Sequence, residues 1–227
     1  VLDGELRHTV FLKLFTYYEE RRLWFHDDLC EIEELAYFSQ SYDGVVFLLD
    51  RINNPVHHIS QYTAVNILRH YHGLYGMDKE VKECLLNCCR SFPKTRKDIC
   101  RLAIFALYQL NLYSPEVTAE LVALFKESDV DYVRLGMYEY LVASNHHNMH
   151  ADFFLQGISF VERDSGWSSG KASRIGNESS CLVDGLKSMS TEDSISAVLR
   201  YFADTDSDHI YAEDKVLGDL IKRASEL

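Results

Sequence analysis

The sequence predicts an all-α protein: stacked antiparallel helix pairs followed by a smaller helical carboxyl part. Three observations carry this. Apolar residues recur every three or four positions along most of the chain, the spacing of one face of a helix, while strand-like alternation is scarce. The three prolines, Pro55, Pro93 and Pro115, all stand at junctions between such stretches, where a residue that interrupts helix interiors is tolerated. The same apolar register also returns in three separate helices.

Helices are expected over 4–25, 30–41, 43–52, 56–75, 78–91, 95–112, 115–127, 130–144, 149–161, 181–189, 192–203 and 211–225. In the first, Leu6, Val10 and Leu14 repeat at four-residue steps beside Phe11, Phe15 and Tyr18. Asp27 or Asp28 is the expected cap of the second. The third contains Val45-Val46-Phe47-Leu48-Leu49. By composition this run suits a buried strand, but no partner strand is evident, and a buried helix is the better reading. Ser114-Pro115-Glu116 supplies a cap, a first helical proline and an acidic first turn for the seventh. Residues 163–180 are rich in Gly and Ser and nearly free of aliphatic side chains, so a long flexible loop is expected there. The resulting division is a repeat region over 1–162, the loop over 163–180, and helices over 181–227 that pack on the repeats.

The register lies in Ile59, Thr63 and Ile67, in Ile99, Ala103 and Leu107, and in Val133, Met137 and Leu141. Each set places an apolar or small residue at every fourth position. Val81, Leu85, Cys88 and Cys89 similarly match Val117, Leu121, Leu124 and Phe125. A helix pair recurring every ~35–45 residues is the requirement of a stacked helical array, because one pair cannot bury both its faces. The small residues Thr63 and Ala103 permit close approach of helices. A compact helical bundle without repeats is the competing arrangement.

Asp129-Val130-Asp131-Tyr132-Val133-Arg134-Leu135-Gly136-Met137, followed by Leu141, resembles the first-helix pattern of HEAT repeats: an acidic residue, a Val-Arg pair, a small or apolar residue, then Leu. The resemblance spans roughly residues 30–161 and implies a HEAT-like α-α superhelix. In that family the acidic and Arg side chains often bond between successive repeats. Only Asp129 and Arg134 match; the corresponding places in the preceding sets hold Thr95 and Cys100, then Pro55 and Ser60. The repeats are therefore degenerate.

Composition narrows the function. Lys and Arg number 23 against 35 Asp and Glu, a formal charge of −12. This disfavours general nucleic-acid binding, which needs cations against phosphate. No apolar stretch reaches the ~20 residues needed to span a bilayer, so no membrane association is expected. The amino end lacks a signal peptide's basic start and apolar centre and begins without Met, which is the reading of a piece of a longer protein. The six cysteines contain no CxxC pair, and reduced thiols in a cytoplasmic protein are expected.

Several constellations in the sequence bear on chemistry. His146, His147 and His150 have spacings that suit metal ligands on one helix turn, but no acidic ligand stands at a matching distance; histidines beside a helix carboxyl end are the better reading. His26-Asp27, with His8 and His57 or His58, imitates the ligand order of metal-dependent HD-type helical phosphohydrolases, the alternative function. In those enzymes the pair lies within a helix, whereas Asp27 stands at an expected helix boundary. Gly166 to Ser173 departs from the phosphate loop in both its glycine spacing and the Ala172 that follows Lys171. Asp204, Asp206 and Asp208 begin like a calcium loop, but His209 and Lys215 occupy its Gly and Glu places. Cys84, Cys88 and Cys89 lack an arranged cation and read as small core residues. No cofactor is expected.

What remains is a surface. Asp27, Asp28, Glu31, Glu33 and Glu34 form an acidic group suited to a basic partner. Tyr132, Tyr138 and Tyr140 cluster near the third repeat, and Tyr suits interfaces. The HEAT resemblance implies a non-catalytic scaffold that binds a protein partner. It also implies a sensor role where such repeats follow the nucleotide-binding part of a signalling or defence ATPase.

Overall fold

The computed structural model describes residues 4–22, 29–92, 94–126, 128, 131–151, 153–154 and 185. Among these the elements are α1 (Gly4–Arg21), α2 (Leu29–Ser39), α3 (Tyr42–Asn53), α4 (His58–Leu68), α5 (Asp78–Arg90), α6 (Lys97–Gln109), α7 (Pro115–Phe125), α8 (Asp131–Ala143) and a 3-10 turn at His147–His150, with no strand. The all-α expectation holds over this part. Val45–Leu49 lies inside α3, so the helix reading of that apolar run is correct. No helix among the described residues is long and apolar enough to cross a membrane.

The chain divides into two compact units, Val1–Ser114 and Pro115–Leu227. The boundary thus falls at the Ser114-Pro115 junction. The loop expected at 163–180 and the helices expected at 192–203 and 211–225 lie outside the described residues. Of the expected 181–189 helix, Gly185 is described: it is helical and buried. A Cβ there would collide with the Phe154 ring and come within 3.0 Å of Val142.

In the first unit α4 is the central element. It packs on α3, α6 and α2, while α5 packs on α6 and α3, and α1 on α2. The sequence suggests α4 followed by α5 as one hairpin, but the principal neighbour of α4 before it is α3, across the short link Asn54–His57. Short connections favour antiparallel neighbours. Eight of the residues of α4 are buried, among them Ile59, Thr63, Ala64, Val65, Ile67 and Leu68. All nine register positions, Ile59, Thr63, Ile67, Ile99, Ala103, Leu107, Val133, Met137 and Leu141, are buried. A fully buried Ile, Leu or Met contributes about 2 kcal/mol over its exposed state. Of the second set, Leu124 is exposed while Val81, Leu85, Val117, Leu121 and Phe125 are buried.

Local chemistry sets the helix ends. Ser41 caps α3, its side chain accepting from the Gly44 amide at 2.9 Å. The expected helix to residue 75 ends earlier, at Leu68, because Tyr71 turns inward and its hydroxyl donates to the Ser39 carbonyl at 2.7 Å. The chain reverses through Tyr75 and Gly76 with φ of 53° and 84°, a conformation that costs Gly little. α6 and α8 close identically. Asn111 and Asn145 adopt φ of 56° and 58°. Leu112 N–H donates to Leu107 O, and His146 N–H to Leu141 O, both at 2.8 Å. These are Schellman caps, with Asn tolerated in the left-handed place.

The α2–α3 joint is closed around Gly44. A Cβ there would collide with the Ser39 carbonyl oxygen and lie 2.7 Å from the Tyr71 hydroxyl. Gly44→Ala must therefore displace backbone, and overpacking of this kind costs about 1–3 kcal/mol. Denaturant unfolding of the full chain should show that loss, with a control Gly73→Ala, which meets open space, changing stability by less than half as much.

Candidate functional site

Three places concentrate polar or reactive groups, and each is positioned by helix periodicity. On α1, Phe11, Phe15 and Glu19 follow one another at four-residue steps and are buried together. The rings meet Phe47 of α3 edge-on, with centroids 5.5 and 5.2 Å away. The same stripe carries the Glu19 carboxylate inward. Its Oε1 accepts from Ser60 Oγ at 2.5 Å and pairs with Arg51 Nε at 3.2 Å. The Arg51 approach is an ion pair without an aligned hydrogen bond. Arg51 also reaches Asp50 at 2.8 Å and lies 4.9 Å from the Phe47 ring centroid.

His57 completes this joint. Its Nδ1 accepts from the Ser60 amide at 3.1 Å, capping α4. Its Nε2 lies 2.7 Å from the Glu19 carbonyl oxygen. An acceptor at Nδ1 and a carbonyl at Nε2 together define the neutral tautomer with hydrogen on Nε2. Both ring nitrogens are engaged, so His57 has no lone pair for a metal, which removes one ligand of the phosphohydrolase reading. His58 is exposed and His8 half-buried. His26 and Asp27 lie outside the described residues, as do the segments 166–173 and 204–215.

In the second unit, Thr118 of α7 is fully buried. Its hydroxyl lies 3.1 Å from the Tyr140 hydroxyl and 2.6 Å from His146 Nδ1. This chain of three groups joins α7 to the end of α8, and its protons can run in either direction. His147 is buried beside the Phe154 ring, at 5.6 Å between centroids. Burial lowers the His147 pKa against the opposing hydrogen bond to the Leu141 backbone. Burial also lowers that of His150, with the charge of His146 acting in the same direction. Among the described residues no group of three or more His, Cys, Asp or Glu side chains could hold a metal ion. His146, His147 and His150, all described, are therefore not brought together as ligands; one is tied to Thr118 and one is packed on Phe154.

Among the described residues the thiols of Cys84, Cys88, Cys89 and Cys100 lie in the core. Burial pushes Cys84 and Cys88 up to about 12, and the Asn53 contact at Cys84 only partly opposes this. Protonated thiols at neutral pH are poor nucleophiles, in accord with the small-core reading.

The expected surface divides. Glu33 and Glu34 are exposed on α2. Glu31 and Tyr132 take backbone places in α2 and α8, and Asp27 and Asp28 lie outside the described residues. Tyr138 is corrected: it is 1% exposed, and so is Tyr140. Arg134 Nε and Nη2 donate to the Tyr138 hydroxyl at 3.1 and 2.9 Å, and Phe153 and Phe154 flank its ring. A satisfied hydroxyl makes Tyr a core residue. Sequence reasoning missed Glu19 and Thr118; the four-residue step from Phe11 through Phe15 to Glu19 was the available signal.

The chain matches no protein-family model, no curated protein and no solved structure.

Two outcomes follow. Glu19→Ala leaves the buried Ser60 hydroxyl without its acceptor while Arg51 keeps Asp50, a loss of about 1–3 kcal/mol; chemical unfolding of the full chain measures it. The lowered histidine pKa values carry a sign. The unfolded state takes up protons near the ordinary value of 6.5, above the folded values of His147 and His150. Their contribution is complete above pH 6.5 and is lost as pH falls through the folded values. Thermal midpoints measured from pH 7.5 downward should therefore drop below pH 6.5, and drop less in a His147→Asn, His150→Asn variant.

Proposed function

We propose that the chain is a non-catalytic helical-repeat module, HEAT-like in kind, that presents a surface to a protein partner. The observation that carries this is the shared register of α4, α6 and α8, whose nine matched positions are all buried. Two further features support it. In the first unit alternate helices meet, α2 with α4, α4 with α6 and α3 with α5, in addition to the sequential pairs α1–α2, α3–α4 and α5–α6. Pairs that complete one another's cores in this way are the logic of repeat arrays. The Asn caps of α6 and α8 also fall at matching places in the register. Arg134 does not need an inter-repeat ladder in this reading; it serves Tyr138 and the Ser128 carbonyl within its own unit.

Such modules act by binding rather than chemistry, so the function rests on the architecture and not on a reactive group. A place beside a nucleotide-binding part of a larger signalling or defence protein, in a cytoplasmic setting, fits a sensor of this kind. The exposed face of α2, with Glu33 and Glu34, is one contact surface in this reading.

Photo-crosslinking tests it. A benzophenone amino acid at Glu34 of the full chain, expressed in its native cells, should give one recurrent protein adduct. The same probe at exposed Lys126, in the turn after α7, should not give that adduct. The contrary result is no recurrent adduct, together with stoichiometric zinc, iron or manganese by elemental analysis and hydrolysis of phosphate esters.

A further inference from the structure

α1 has two apolar faces, and the packing of the first unit uses one. Phe11 and Phe15 are 0% and 1% exposed. On the opposite side Leu6, Val10, Leu14 and Tyr17 are related by steps of four and seven residues, so they form a second stripe. Leu6 is 48%, Leu14 39% and Tyr17 45% exposed, and Val10 is half-buried. A helix that closes a stack needs a polar outer face for solubility; this stripe is the reverse.

Its border is cationic. Lys13 stands seven residues from Leu6, and Arg21 seven from Leu14. Arg21 lies 4.3 Å from the Tyr17 ring centroid, and Arg7 lies 5.5 Å from that of Tyr37 on α2. Among the described residues none of Arg7, Lys13 and Arg21 is in an ion pair, and Arg7 Nε is buried with no hydrogen-bond partner. Of the carboxylates of α1, Glu19 is buried on the other side and Glu5 lies off the stripe; Glu20 alone borders it. In a chain of net charge −12 this face carries the opposite sign.

We infer that the outward face of α1 docks an amphipathic helix of a partner protein, whose apolar ridge is flanked by Asp and Glu. Leu6, Val10, Leu14 and Tyr17 receive the ridge, and Arg7, Lys13 and Arg21 face its carboxylates. Helix-in-groove recognition uses this combination: apolar anchors at helical spacing give affinity, and flanking charges choose the partner. The inference rests on the partner-binding reading above and names its surface.

The test uses the full 227-residue chain and two synthetic helical peptides. Both carry the same Leu stripe; one has Glu on its flanks and the other Lys. By fluorescence anisotropy the Glu peptide should bind at least tenfold tighter, with affinity falling as salt rises. Leu14→Asp with Tyr17→Asp should abolish binding, and Lys13→Glu with Arg21→Glu should reverse the preference. Both substituted pairs are exposed, and unchanged far-UV circular dichroism confirms folding. Equal binding of both peptides, no binding, or binding indifferent to the Leu14 and Tyr17 changes overturns the inference. So does a wild-type dimer in light scattering that the same changes convert to monomer, since a second copy then occupies the face. If the peptides fail while the Glu34 crosslink persists, the docking face is wrong and the partner-binding reading stands; if both fail, both fall.

Discussion

The burial of α4 between neighbours on several sides is the constraint on which the first unit depends. An isolated helix of its length is marginal in water, because nucleation is costly and propensity adds little per residue. Its apolar residues point in more than one direction, so α3 alone cannot cover them. α2 and α6 complete the enclosure. Thr63 and Ala64 keep the helix slim where neighbours approach, and the joints at both ends hold it in place. Glu19, Ser60 and His57 fix its start against the end of α1. Just past its end, Tyr71 bonds back to the Ser39 carbonyl beside Gly44.

These polar joints act differently from the apolar core. A hydrogen bond exchanges one partner for water and yields a net of only about 1 kcal/mol, less than one buried Leu or Ile. Their value is in geometry. Breaking the Glu19 joint leaves the buried Ser60 hydroxyl unsatisfied, a larger penalty than the bond's own net contribution. The Thr118–Tyr140–His146 chain plays the same part in the second unit, joining α7 to the carboxyl end of α8. Polar groups at the joints thus specify which helix meets which, while apolar residues supply the free energy.

Most of the described fold was legible in the sequence because helical periodicity and proline placement are local signals. The register Ile59-Thr63-Ile67, Ile99-Ala103-Leu107, Val133-Met137-Leu141 identified core positions without error, since burial on one stripe is what periodicity reports. Partner choice was not legible: the pattern of α4 is compatible with α3 or α5 as its mate, and connection length decides. The helix ends depended on tertiary contacts, as when Tyr71 turns inward after Leu68. Tyr138 was misplaced for a related reason. Tyr suits a surface or a core, and only the Arg134 donors reveal which. The second apolar face of α1 was present in Leu6, Val10 and Leu14, but the neighbouring Phe11 and Phe15 merged with it into one broad apolar helix. Exposure separated the two stripes.

The α4 hub, the exposed acidic residues of α2 and the exposed basic-edged stripe of α1 are the features on which the partner-binding proposal rests. Native-state hydrogen exchange of the full chain tests the central claim most directly, because it reads the stability of each helix in place. The account predicts that amides of α4 and α6 exchange slowest and only through opening of the whole first unit, with protection decreasing toward α1. Exchange from α4 as fast as from α1, with α6 opening independently of it, would contradict the place of α4 as the hub of the first unit.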